Sequence, residues 1–197
     1  MEILHASEYR RMPWKNGGGE TQEIAVSPAG ASLDALDWRI SMASVAQDGP
    51  FSVFPGIDRT LCILDGAGME LDFGAEGVRT VTADADPFYF SAERPVHARL
   101  LAGPITDLNV MTRRSRYRHT VVRLAIGDVT RVAIAEQSLV FCERGEVSCS
   151  VAGEAEVQLR ARDCASIHGA PRLLELSAAR HASVYLIQFY PTAATPA

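Results

Sequence analysis

Lys15 is the only lysine in a chain whose other 18 basic residues are arginine, and its neighbour Asn16 is one of only two asparagines. Gly17-Gly18-Gly19 follows directly. An ammonium is a point charge suited to a carboxylate, and an amide both donates and accepts. Glycines let backbone N–H groups, such as that of Gly18, come close to a guest. The chemistry implied is recognition of a small anion. Arg59 is the strongest further candidate, because a planar guanidinium matches a carboxylate through two parallel hydrogen bonds. Thr21 and Glu23 share one strand parity, as do Arg39 and Ser41, so each pair occupies one face of an extended segment. Glu23 and Arg39 serve equally well as a buried ion pair, since a charge taken out of water must be matched. His97 reads either as a hydrogen-bonded histidine at a strand end or as a neutral imidazole facing a ligand. Asn109 reads either as a partner of backbone groups or as a ligand contact. No Ser–His or Cys–His constellation is legible, so no catalytic residue is assigned.

These residues need strands to hold them. Thr21–Val26 and Trp38–Val45 alternate with period two. Arg59–Leu64 and Met69–Phe73 flank Gly66-Ala67-Gly68 as a hairpin. Val78–Thr82, Pro87–Phe90, Ala98–Leu101 and Asp107–Thr112 continue the series, punctuated by Gly49-Pro50, Pro55-Gly56 and Gly103-Pro104. Helical periodicity is weak, and a short turn near Ser7–Arg11 is its best candidate. The second half echoes the first. Leu139–Glu143, Gly145 and Val147–Val151 repeat the hairpin; Asp163 before Cys164–Ile167 repeats Asp86 before Pro87–Phe90; Leu186-Ile187-Gln188 repeats Asn109-Val110-Met111. The predicted fold class is all-β: two jelly-roll-like antiparallel barrels with little helix, one over residues 1–118 and one over 119–197, packed as one globular unit. The first copy carries Arg39, Ser41, Arg59, His97 and Asn109 at strand positions, where the second is apolar, as at Leu186. An aliphatic lumen is a packed core, whereas convergent polar groups hold a ligand. The site is therefore expected in the first copy, with the second structural.

Composition narrows the function classes. A chain of 197 residues with 47% hydrophobic content builds its own core. Net charge of −5 makes nucleic acid a poor partner. Apolar runs such as Leu61–Leu64 are far too short to span a bilayer, so no membrane partner is expected. Met1 to Trp14 lacks a secretory hydrophobic region, which points to the cytoplasm. Cys62, Cys142, Cys149 and Cys164 form no C-x-x-C and sit in apolar segments, as buried reduced thiols do. The basic run Arg113-Arg114-Ser115-Arg116-Tyr117-Arg118-His119 lies between the repeats. It reads as a solvated linker or a source of salt bridges, and alternatively as a contact for an acidic partner or nucleic acid, for which scattered charges in an acidic protein are weak evidence.

Three ordered blocks carry a family resemblance. Pro13-Trp14-Lys15-Asn16-Gly17-Gly18-Gly19-Glu20-Thr21 with Glu23-Ile24, then Trp38-Arg39-Ile40-Ser41-Met42-Ala43, then Gly49-Pro50-Phe51-Ser52-Val53-Phe54-Pro55-Gly56-Ile57-Asp58-Arg59 resemble the signature of the HutD/Ves family. Leu64-Asp65-Gly66-Ala67-Gly68-Met69 fits its following hairpin. The likeness covers residues 1 to about 112 well and the rest loosely. It implies a cupin-type fold with two cupin-like barrels, a cytoplasmic setting and an association with bacterial histidine utilisation. Familiar cupins bind a metal through an H-x-H pair, a Glu and a later His. Here His5, His97, His119, His168 and His181 contain no such pair, and Ile57-Asp58-Arg59-Thr60 stands where it would lie. An Arg repels a cation at contact distance. No metal and no cofactor is expected, and only His97 matches the late ligand position.

The resemblance and the polar strands together lead to a metal-free protein that binds a small carboxylate, such as formate, formylglutamate or a urocanate-like acid, in a regulatory or sensing role. The residues expected to line its site are Lys15, Asn16, Gly18, Thr21, Glu23, Arg39, Ser41, Arg59, His97 and Asn109. The alternative is a metal-independent enzyme acting on a small acid, with His97 or Glu23 as general acid or base. A third reading is an interaction protein working through Arg113–His119. Pairing of edge strands suggests a homodimer.

Overall fold

The period-two alternation becomes strand nearly throughout the computed structural model, which describes residues 1–14 and 17–192. Numbered in chain order, nineteen strands are found among the described residues, with short 3-10 turns at Ala6–Glu8 and Gly74–Glu76. They divide between two compact units, each a pair of antiparallel sheets.

The first unit comprises Arg10–Arg118 together with Thr192. Its larger sheet runs in the order β2 (Arg10–Pro13), β3 (Gly19–Ser27), β4 (Trp38–Val45), β11 (Ile105–Arg113), β6 (Ile57–Asp65) and β9 (Phe88–Ser91). Its smaller sheet runs β5 (Gly49–Pro50), β10 (His97–Leu100), β7 (Met69–Asp72), β8 (Val78–Val81). Ala43, Val45, Leu61, Ile63 and Ile105 of the larger sheet share a core with Met69, Leu71, Val81 and Ala98 of the smaller. Phe73 meets Phe88 and Phe90 edge-on at centroid distances of 6.0 and 5.6 Å, closing that core with aromatic area.

The second unit comprises Met1–Tyr9 and His119–Pro191. Its larger sheet runs β1 (Glu2–Leu4), β17 (Cys164–His168), β14 (Gln137–Arg144), β19 (Ala182–Pro191), β12 (Tyr117–Ile126). Its smaller sheet runs β13 (Thr130–Ile134), β18 (Arg172–Ser177), β15 (Glu146–Val151), β16 (Val157–Arg160). Here the interior is apolar: Val140, Cys142, Ala165, Val184 and Leu186 pack with Val147, Cys149, Leu159, Leu174 and Leu176. All four cysteines are free and buried. Burial pushes the Cys142 and Cys149 thiols up to about 11 and about 12, which keeps them unreactive. No helix among the described residues is long and apolar enough to cross a membrane.

The sequence expectation places the first nine residues with the amino-terminal copy, and the structure differs. Glu2 to Leu4 pair antiparallel with Ser166 to Cys164. The Tyr9 hydroxyl donates to the Arg162 carbonyl at 2.7 Å, and the Ala6 N–H donates to Asp163 Oδ1 at 2.9 Å. A strand of three residues carries too little pattern to announce a partner so distant in sequence.

Each strand from β4 to β11 has a counterpart from β12 to β19 at the same place in its sheet. The two copies agree rung by rung. Asn109 faces Leu61 as Leu186 faces Val140, and Asp107 faces Ile63 as Val184 faces Cys142. Both then bulge at the next rung: Thr106 faces Asp65, passing over Leu64, and Ser183 faces Arg144, passing over Glu143. Gly66 and Gly145 follow these bulges with φ near +90° and +83°. A Cβ on Gly145 would lie 2.8 Å from the Ala182 Cβ; on Gly66 it would lie 2.7 Å from the Pro104 carbonyl and 2.8 Å from Ile105. The hairpin and the start of the last strand of each copy are thus held together by the absence of a side chain. Gly145→Ala is expected to cost about 2 kcal/mol or more through left-handed strain and this clash, read as a lower urea midpoint at unchanged slope. A midpoint equal to wild type would refute the account.

Candidate functional site

The larger sheet of the first unit brings polar side chains onto one interior face. Across adjacent strands Glu23 faces Ser41 and Ser41 faces Asn109, while Arg39 faces Met111 and Met111 faces Arg59. One rung away Thr21 faces Ala43, and Ala43 faces Asp107. Thr21, Glu23, Arg39, Ser41, Arg59 and Asn109 therefore share the face that carries the apolar core.

The hydrogen bonds form two linked pairs. Arg39 Nε donates to Glu23 Oε2 at 2.7 Å. Arg59 donates from Nε to Asn109 Oδ1 at 2.8 Å and again from Nη2 to the same oxygen. The other end of that amide donates from Nδ2 to Asp107 Oδ1 at 2.5 Å. The Ala43 backbone N–H also donates to Asp107. The Arg59 guanidinium lies over the Phe51 ring at 4.4 Å and near Phe90 at 5.7 Å, both geometries in which a cation is attracted to the ring face. Asp107 is only 1% exposed, and Ser41 and Asn109 are buried, whereas Arg59 keeps part of its surface open to solvent.

Burial sets the electrostatics. It pushes the Asp107 carboxyl from 3.8 up to about 6, against the opposing pull of Arg59 and of the Asn109 hydrogen bond. It lowers Arg59 to about 10, with Asp107 resisting and the nearby charge of Arg39 assisting. Arg59 remains a cation at neutral pH.

Asp107 was not among the residues expected from the sequence. It stands two positions before Asn109 in the same strand and so shares its face. That spacing, joined to the candidacy of Asn109, was the available signal.

Lys15 and Asn16 lie outside the described residues. Beside them the structure is tightly specified. Trp14 donates from Nε1 to Thr21 Oγ1 at 2.8 Å and packs against the core, and its backbone N–H donates to the Gly19 carbonyl at 2.9 Å. A Cβ on Gly19 would lie 2.2 Å from the Ser44 carbonyl and 3.0 Å from the indole, so only glycine fits. Gly18 is buried and its carbonyl accepts from the Ala46 N–H at 3.0 Å.

His97 is not brought to this face. It is exposed, next to the buried Ala98, and opposes Asp72 across β10 and β7. There it lines an outer groove of about 540 Å³ with Pro50, Phe51, Phe73 and Val96. The basic run is largely spent within its own unit. Arg113 donates to the Leu36 and Asp34 carbonyls, Arg114 to Asp58, Glu93 and Ser91, and Arg116 to Asp37.

Among the described residues no three His, Cys, Asp or Glu side chains come together as a cation would need. The lone pairs of the interior row are already taken up, those of Glu23 by Arg39, of Asn109 Oδ1 by Arg59 and of Asp107 by the Asn109 amide, and two guanidinium cations stand among them, so the row does not fit a divalent ion. In the second unit the same rungs hold Val184, Leu186 and Ser138 in place of Asp107, Asn109 and Arg59.

A duplicated all-β chain of paired antiparallel sheets, with the Arg59–Asn109–Asp107 row inside one copy only, has a cupin-like fold. A cupin 2 conserved barrel domain protein from Leptotrichia buccalis, 12% identical over 95% of this chain and all of that one, has the same fold at a TM-score of 0.60. The HutD family model matches residues 6–186, and the chain belongs to that family. A Pseudomonas putida protein described as an uncharacterized 21.2 kDa protein in the hutC 3' region is 38% identical over 178 residues, covering 89% of this chain and 91% of that one. The solved structure of the conserved protein of unknown function PA5104 from Pseudomonas aeruginosa PAO1 is 34% identical and superposes at a TM-score of 0.90, covering 95% of this chain and 97% of that one. HutD from Pseudomonas fluorescens SBW25, in a structure described as a formate condition, is 32% identical at a TM-score of 0.83, covering 98% and 99%.

The raised value of Asp107 has a consequence for stability. The folded state holds this proton more tightly than the unfolded chain does, so the contribution is full below about 4 and is lost as pH rises through about 6. Asp107→Asn removes that loss. Between pH 4 and 7 its unfolding free energy should gain on wild type by on the order of 2 kcal/mol, measured by urea titration at each pH. A constant difference across that range would show that Asp107 is not titrating.

Proposed function

We propose that this protein binds a small carboxylate through Arg59, without a metal ion at the site, and that binding serves a sensing or regulatory role in histidine utilisation. The observation that carries the proposal is the setting of Arg59. Its Nε and one N–H of Nη2 are engaged by Asn109, and its plane rests on Phe51. A guanidinium oriented this firmly keeps its Nη1 edge for a guest and loses little rotamer freedom on binding one. The rungs that hold Asp107, Asn109 and Arg59 hold Val184, Leu186 and Ser138 in the second unit, so the fold itself does not call for them. The hut association comes from the relatives, one in a hutC 3' region and one named HutD. The formate condition of that HutD structure fits a small acid as the ligand class.

The enzymatic reading draws less support. His97 is exposed and lines the outer groove rather than the interior face, and Glu23 is engaged by Arg39. A proton-transfer group has to reach the reacting atom before its chemistry matters.

Titration calorimetry with formate, formylglutamate, urocanate and glutamate tests the proposal. Saturable heat is expected with at least one of them. Arg59→Ala should weaken that binding by about 10- to 100-fold, the loss of one charge-assisted pairing of about 1.5–3 kcal/mol. Silence with all four acids, or undiminished affinity in Arg59→Ala, would end it.

A further inference from the structure

The interior row contains two carboxylates, and they are not held alike. Glu23 meets Arg39 directly at 2.7 Å. Asp107 meets Arg59 only through the Asn109 amide, which accepts from the guanidinium at one end and donates to the carboxylate at the other. Asp107 also accepts from the Ala43 N–H, lies opposite Ala43 and Ile63 across the sheet, and is buried on the face that carries the apolar core. Among the described residues the charged groups on this face by register are Arg59 from β6, Arg39 from β4 and Glu23 from β3, with Arg10 of β2, opposite Glu23, and Arg79 of β8, opposite Leu71, exposed on the edge strands; β7 and β10 carry Met69, Leu71 and Ala98 on it.

Resting on the carboxylate-binding reading above, we propose that Asp107 is the proton-linked counter-ion of that site: ionised while the site is empty, and protonated when a carboxylate seats on Arg59. Two negative charges cannot both be matched by one guanidinium in a dry interior, so one of them must neutralise. The guest touches the cation directly and Asp107 does so only through an amide, so Asp107 is the group that yields. Its proton comes from bulk solvent and returns there when the acid leaves. Burial already holds this carboxyl near 6 in the empty site, so a modest further rise brings it into the neutral range. By reciprocity, whatever raises the proton affinity of Asp107 on binding makes binding tighter as pH falls. Asn109 is a positioning residue in this scheme, the rigid link through which each charge senses the other.

The test is calorimetry of the whole protein with formate and with formylglutamate, neither of which titrates between pH 5.5 and 8. Runs at pH 6.5 in MES, PIPES and bis-Tris should give heats that differ by the ionisation heat of the buffer, reporting net proton uptake. Affinity should rise about tenfold from pH 8 to pH 5.5, the change that follows from a rise of about one unit in the carboxyl on binding. In Asp107→Asn the buffer dependence should vanish, and affinity at pH 8 should match that of wild type at low pH. A carboxylate removed from the site would thus tighten binding without adding a contact. Saturable binding with identical heats in all three buffers leaves the anion site standing and overturns the proton link alone. Proton uptake that persists in Asp107→Asn assigns the proton to another group and overturns it equally. No saturable heat with either acid removes the anion site that the proposal requires. Should Asp107→Asn fail to fold, the Asp107 carboxyl carbon of the wild-type protein is titrated by 13C NMR with and without formate: a midpoint that rises by about one unit on binding supports the link, and an unmoved midpoint overturns it.

Discussion

The chain Arg59–Asn109–Asp107 is the constraint around which the first unit is arranged. Removing an ion from water costs several kcal/mol, and only a partner with good geometry offsets it. Here a single amide serves two ions of opposite sign, accepting from one and donating to the other. The strands that carry them must keep their register for the amide to reach both, because a slip of one residue turns every side chain to the other face. The bulge at Asp107 and the close approach at Gly66 fix that register from one end. The Glu23–Arg39 pair and the Trp14–Thr21 hydrogen bond fix the flank formed by β3.

The duplication shows what the fold needs without that chain. At matching rungs the second unit fills its interior with Val184, Leu186, Cys142 and Val140. Replacing a buried polar network by packed aliphatic groups is often neutral or stabilising, and the second copy exemplifies the apolar solution. It keeps a buried carboxylate at the bulge, Glu143, which takes a paired interaction from Arg123 at 2.8 Å through both Nε and Nη2. The first copy has Leu64 at that bulge. Polar and apolar residues have traded places between the copies while the backbone register stayed the same. The trade argues that the row in the first copy is kept for what it does rather than for the stability it lends.

Much of this was legible in the sequence. Trp38–Val45 was read as a strand over its full extent, and Arg39 and Ser41 were placed on one face by parity alone. The repeat of Asn109 by Leu186 predicted the polar and apolar interiors, because a period of two carries through any number of rungs. The pairing of Glu23 with Arg39 was one of the two roles considered for them. Asp107 escaped notice because its significance depends on a neighbour across the sheet rather than on its own spacing. His97 was a candidate because it matches the late ligand position of familiar cupins; it alternates with the apolar Ala98 and Leu100, which turns it to the other face of β10. Contacts of arginines with carbonyls and carboxylates some 80 residues away, as for Arg113 and Arg116, leave no local trace at all.

The exchange of chain ends between the units bears on how the protein is made. Met1–Tyr9 belongs to the unit completed by the last strands, and the Thr192 N–H returns to the Arg116 carbonyl at 2.8 Å in the other. Synthesis is vectorial, so β1 emerges first and then waits for β17, nearly the whole polypeptide later. The unit with the polar interior, by contrast, has every strand of its two sheets once Arg113 has left the ribosome. The nascent protein can therefore assemble its polar interior while its opening residues are still unpartnered, and cleavage between the halves would leave neither with all of its own residues.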